Sequence, residues 1–148
     1  MSNRIFVDTN IFVYAYTNNS VEKHEAAKRI LQTSDDHYII STQVLNEFYV
    51  TLSKYKVEHD KITTTVSEII KSCEVQPVKL ETVNIALAVK KRYDFSYWDS
   101  LILAAALENS CSSVYSEDMS DGQFIYGNAF ESLNIANNVL IQNPFTFK

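Results

Sequence analysis

The chain is poor in the residues that build the commonest nucleotide sites. Only two glycines, Gly122 and Gly127, occur in 148 residues. A phosphate-cradling loop needs several glycines where a strand turns into a helix, so P-loop NTPases and dinucleotide-binding Rossmann domains are excluded. Two prolines give no Pro-rich linker, and no repeat or low-complexity tract interrupts the chain. The two cysteines, Cys73 and Cys111, stand far apart and outside any C-x-x-C pair. That removes zinc-ribbon and thioredoxin-type readings, and the apolar neighbours predict buried free thiols. His24, His37 and His59 show no metal-ligand spacing and read as surface residues. No run approaches the ~18 apolar residues of a membrane span. The opening Met-Ser-Asn-Arg-Ile-Phe-Val-Asp is too short in apolar run for a signal peptide. A cytoplasmic location without a membrane partner is therefore expected. Positive charge is also scarce: the net charge is −5 and the pI about 5.1. That excludes a broad basic coat for nucleic acid. It leaves open a site where carboxylates hold cations, because a bound divalent ion inverts the local sign.

What is present is ordinary for one globular core. Apolar residues make up 46%, charged residues 21% and aromatics 12%. A single domain spanning 1–148 is expected, large enough to fold without disulfides. Ile5-Phe6-Val7, closed by Asp8-Thr9-Asn10, reads as a buried parallel strand. Tyr38-Ile39-Ile40 and Ser113-Val114-Tyr115 read alike, Val75 to Val78 as a short edge piece, and Leu133-Asn134-Ile135 as a last strand. Helical spacing covers 22–32, from Ser41 or Thr42 to about Tyr55, a stretch capped by Asp60, and 81–92. Ser96-Tyr97-Trp98-Asp99 has capping-box form and opens a nearly all-apolar helix, predicted to lie at the centre of the domain. Strands alternating with helices imply an α/β fold with a mostly parallel sheet, whose sites lie at the carboxyl ends of the strands.

That rim collects acids. Asp8 follows the first strand and Asp118 a later one, with Asp121 three residues on. Glu47 stands between Val44 and Phe48 in the helix after the second strand, and Asp99 in the first turn of the apolar helix. Each has a plain alternative: Asp8 as a turn former, Asp99 as a cap, Asp118 as a loop acid. Their shared location is what points to function. Carboxylates ~4 Å apart repel by ~4 kcal/mol at an effective dielectric of ~20. Such a group either holds protons or binds a cation. All-oxygen ligands suit Mg²⁺ or Mn²⁺, the ions that assist attack of water on phosphodiesters.

Four segments carry a family resemblance. Residues Ile5 to Asn10, Ile40 to Tyr49, Tyr97 to Ile102 followed by Ala104-Ala105-Ala106, and Tyr115 to Gly122 resemble, in order, the acid-bearing motifs of PIN (PilT N-terminus) domains. The resemblance spans roughly residues 4–136. It implies a three-layer α/β/α sandwich and Mg²⁺- or Mn²⁺-dependent cleavage of single-stranded or structured RNA. It also implies likeness to VapC-type toxins, usually homodimers held inactive by a small antitoxin. On this reading Asp8, Glu47, Asp99 and Asp118 are catalytic. Asp8, Asp99 and Asp118 hold the metal, with Asp121 helping through water, and Glu47 orients or deprotonates the attacking water. One departure stands out: many relatives place an aromatic after the last acid, where this chain has Gly122, and Glu117 adds a carboxylate. Asp118 and Asp121 therefore both remain candidates for direct ligation.

Thr9, Asn10 and Ser116 are candidates to fix the carboxylates by hydrogen bonds, or are turn formers only. Lys54, Lys56 and Arg92 are candidates for RNA-backbone contacts, or merely solvated helix ends. Trp98 reads first as a core or helix-start residue, with stacking on a base as the alternative. Aspartyl-phosphate folds fit less well: Asn10 stands where a phosphatase needs its second Asp, and Ser116 where a receiver needs Lys. A processing nuclease without an antitoxin, or a catalytically silent RNA-binding scaffold, remain the alternatives to a toxin.

Overall fold

The computed structural model describes residues 3–32 and 35–147. Strands β1 (Arg4–Val7), β2 (His37–Ser41), β3 (Glu74–Gln76), β4 (Ser113–Tyr115), β5 (Phe124–Tyr126) and β6 (Asn138–Gln142) form one sheet. Its order is β3-β2-β1-β4-β6-β5, parallel throughout except for the antiparallel β5–β6 edge. Ile5, Phe6 and Val7 are buried because β1 has a strand on each side and helices over both faces. The register sets Phe6 between Ile39 and Val114.

Helices α1 (Thr9–Tyr16), α2 (Val21–Leu31), α3 (Thr42–Lys54) and α4 (His59–Ser72) connect β1 to β2 to β3, moving in one direction across the sheet. Helices α5 (Leu80–Tyr93) and α6 (Tyr97–Glu108) carry the chain back to β4. Right-handed crossovers in opposite directions put the two groups on opposite faces. The packing agrees: α1 lies against α2 and α3, α3 against α4, and α5 against α6. The result is the expected α/β/α sandwich. As its composition predicts, α6 is buried without a break from Ser100 to Leu107. Among the described residues no helix is long and apolar enough to cross a membrane.

One helix was not anticipated and two local expectations are corrected. Helix α1 has no counterpart in the sequence pattern, because Ile-Phe-Val-Tyr-Ala-Tyr carries strand-like residues. Burial of Ile11, Phe12, Val13 and Ala15 overrides that preference, and Asp8 supplies its cap. The last strand is β6, not 133–135. Asn134 takes a left-handed backbone (φ 54°) that ends extension, while Val139 and Ile141 alternate inward. Helix α4 begins at His59 after Glu58, so Asp60 lies in its first turn rather than capping it. Of the thiols, Cys111 is buried and Cys73 only half-buried.

Candidate active site

The chain leaves β1 toward β2 but returns to β4 on the other side of β1. A crevice opens beyond the carboxyl ends of strands at such a reversal. The backbone N–H of Asp8 still donates to the Tyr115 carbonyl at 2.9 Å, and that of Ser116 to the Gln142 carbonyl at 3.0 Å. The two strand exits are thus fixed beside each other. A cleft of about 660 Å³ lies there, and Asp8, Glu47, Asp99 and Asp118 all line it. Four acids from four separate segments of the chain meet at one place.

Each is held differently. Asp8 is buried; its Oδ1 accepts the Thr9 N–H at 2.7 Å and its Oδ2 the Ser116 hydroxyl at 2.9 Å. Burial pushes its carboxyl up to about 6 against the pull of those bonds, and the charges of Glu47 and Asp99 add to the rise. Asp99 is also raised, by burial first, against the Ser96 hydrogen bond and with help from the charge of Asp118. Glu47 is set by two neighbours: the Thr9 hydroxyl donates to Oε1 at 2.8 Å, and Gln43 Nε2 to Oε2 at 3.4 Å. Asp118 is exposed, with Asn10 Nδ2 donating to its Oδ2. Asn10 and Ser116 therefore each bond one of the acids, and Thr9 bonds two, Asp8 through its N–H and Glu47 through its hydroxyl.

Gln43 is absent from the sequence-derived set. Its Nε2 also donates to the Trp98 carbonyl at 3.1 Å, joining α3 to the start of α6. Its spacing of four residues from Glu47 on one helix was the available signal. Its Oε1 is buried without a partner among the described residues.

Other candidates lie outside the cleft. Asp121 is exposed, and its Oδ1 accepts the Asn143 N–H at 2.9 Å, so this carboxylate closes a loop after β6. Glu117 turns to α1 and α2, accepting the Tyr14 hydroxyl at 2.7 Å and pairing with Lys23 at 2.6 Å. Burial opposes its ionisation, but Lys23 and Tyr14 outweigh it and lower its carboxyl. Gly122 has φ +87° and donates its N–H to the Ile141 carbonyl at 2.7 Å. An aromatic there would be strained, which explains the departure in the fourth motif. Of the three basic candidates only Lys54 lines the cleft; Lys56 and Arg92 are exposed elsewhere. Trp98 stands at a helix start, as expected, but not in the core: it is 62% exposed and lines the cleft.

The donor set fits a hard divalent cation. All four acids offer oxygen, the charges of Glu47 and Asp99 add to the rise at Asp8 and that of Asp118 to the rise at Asp99, and none of the four is ion-paired with a basic side chain among the described residues. Among the described residues no three acidic, histidine or cysteine side chains already form a finished ligand cage.

Comparison with known proteins agrees with this fold. No curated protein matches the chain by sequence. Solved structures match its fold. VapC20 of Mycobacterium tuberculosis, described as a sarcin–ricin loop cleaving toxin, has TM-score 0.66 at 20% identity, covering 89% of this chain and 96% of its own. A toxin–antitoxin complex from Klebsiella pneumoniae has TM-score 0.63 at 17% identity, covering 95% and 97%. DNA-bound VapBC from Salmonella typhimurium has TM-score 0.61 at 17% identity, covering 97% and 99%. The family model described as PIN domain matches residues 5–120. Architecture, motif order and a match over most of its length agree: the chain belongs to the PIN-domain family.

Proposed function

We propose that the chain, working as one PIN unit over 1–148, is a Mg²⁺- or Mn²⁺-dependent endoribonuclease and the toxin of a type II toxin–antitoxin pair. One observation carries the reading: acids from four separate segments line one cleft at the switch point of the sheet. The bound ion supplies charge neutralisation and an activated water for in-line attack on a phosphodiester. Asp8, Asp99 and Asp118 are the side chains to hold it. The Thr9 N–H and the Ser116 hydroxyl fix both oxygens of Asp8 and leave each with further lone pairs for ligation. Glu47, steadied by Thr9 and Gln43, takes the proton of the attacking water. Lys54 meets the RNA backbone. Cleavage leaves a 5′-phosphate and a 3′-hydroxyl. Asp121, engaged with the Asn143 N–H, acts on the loop rather than on the ion.

The toxin role and an antitoxin partner are supported by solved structures of matching fold, described as VapC, VapBC or toxin–antitoxin complexes; a homodimer and a cytoplasmic setting belong to the same proposal. The purified chain is expected to cut single-stranded RNA with Mg²⁺ and not with EDTA. Undiminished cutting by Asp99→Asn would reject the site.

A further inference from the structure

Trp98 is the only tryptophan in the chain and stands 62% exposed. Nothing in the packing of α6 calls for an indole at this position, because the buried face of that helix runs through residues 100–107. Large aromatics are usually well buried, so an open one in a cleft wall beside Asp99 calls for a different reason. The residue is nonetheless firmly held. Gln43 pins its carbonyl at 3.1 Å, and Ser96 caps the same turn through the Asp99 N–H at 3.1 Å. The Tyr97 ring braces the indole in a T-shaped contact, with centroids 5.4 Å apart and planes at 72°. Lys54, from α3, lines the same cleft and forms no ion pair among the described residues. A fixed backbone, a braced ring with open surface and a free ammonium together suit one base and one phosphate.

We propose that Trp98 is a specificity-determining residue: its indole stacks on an unpaired base beside the phosphodiester held at the acids, so the cleft takes single-stranded RNA and rejects continuous duplex. This rests on the nuclease reading above. Stacking tolerates any base, because every base has a π-face. Paired bases inside a duplex have that face already covered, and only Lys54 would then find its phosphate.

As the sole tryptophan, Trp98 is the one indole that fluorescence reads. The full chain is titrated in Ca²⁺, which oxygen ligands hold in looser geometry than Mg²⁺. The probes are a short single-stranded RNA, the same strand in a duplex, and an abasic strand with the same phosphates. The single strand is expected to quench the indole, and the duplex and abasic strand not to. Trp98→Ala is expected to weaken single-strand binding roughly 5- to 150-fold, and Trp98→Tyr to restore most of it. In Mg²⁺ the Ala variant raises KM far more than it lowers kcat. Equal quenching by the abasic strand, or unchanged affinity in Trp98→Ala, would overturn the proposal. So would an indole shift that follows protein concentration alone, which would assign the ring to a protein contact. Quenching without any cleavage would reject the nuclease reading and keep the platform. Cleavage with equal KM in wild type and Trp98→Ala would do the reverse.

Discussion

Strand β1 has an ionic cluster at each end, and the two behave oppositely. At its start, Arg4 Nη2 lies 3.0 Å from Glu74, which also takes His37 Nε2 at 2.9 Å and Gln76 Nε2 at 2.8 Å. Those partners, Arg4 foremost, hold the Glu74 carboxyl down to about 2. Just past its other end, Asp8 is buried beside Glu47 and Asp99 and is pushed up to about 6. A carboxylate surrounded by donors and cations stitches three strands together. A carboxylate that is buried, with other carboxylates near it, destabilises the protein that carries it in its charged form. The first arrangement is structural, and the second is the kind expected of the cation site proposed above.

The sharpest way to break this contrast is at the acid end. Asp99→Asn is expected to lower Mg²⁺-dependent RNA cleavage by on the order of 10²- to 10³-fold, measured by product release from labelled RNA. Asp8→Asn should lose cleavage too, yet melt at a higher temperature than the wild type without metal. The sign follows from linkage. The folded protein holds the Asp8 proton more tightly than the unfolded chain, so this group favours folding at low pH and loses that advantage between pH 3.8 and about 6. By pH 7 the loss is ~3 kcal/mol, and removing the charge should recover ~1–3 kcal/mol in thermal or urea unfolding. A lower melting temperature for Asp8→Asn would contradict the account of that rim.

Thr9→Val deletes the hydroxyl that steadies Glu47 and leaves the Asp8 contact through the Thr9 N–H. Cleavage should fall about 10- to 100-fold, with melting temperature nearly unchanged. The smallest effect is expected at the other rim. Arg4→Ala should cost ~1 kcal/mol at neutral pH, because the pair is partly exposed and screened, and should leave cleavage intact. Glu74 titrates low, so its contribution is present above pH 4.5 and disappears as pH falls toward about 2. The wild-type minus Arg4→Ala difference in stability should therefore shrink over that range, the reverse of the trend at Asp8.

The acid end was legible in the sequence because each acid follows a strand or opens a helix whose apolar pattern is strong. Ile5-Phe6-Val7 and Ser113-Val114-Tyr115 could only be buried strands, which places Asp8 and Asp118 on one rim. The all-apolar run after Asp99 likewise forced α6 inward. What stayed illegible depends on tertiary context. Residues 9–16 look extended and are helical because burial decides. Residues 133–135 look like a strand and turn at Asn134 instead. The motif could not place Asp121 and Glu117 relative to the cleft; in the structure both lie outside its lining, bonded to the Asn143 N–H and to Tyr14 and Lys23 respectively. Basic residues at the ends of helices, such as Lys56 and Arg92, carry no pattern that separates cleft from solvent.

Isothermal titration of the metal-free chain with Mn²⁺ at pH 7, beside Asp8→Asn and Asp99→Asn, tests the central claim most directly. Saturable binding by the wild type, weakened at least about tenfold in each variant and fading in the wild type below about pH 6, is the predicted result. Heats that are absent, or the same in all three proteins, would contradict it.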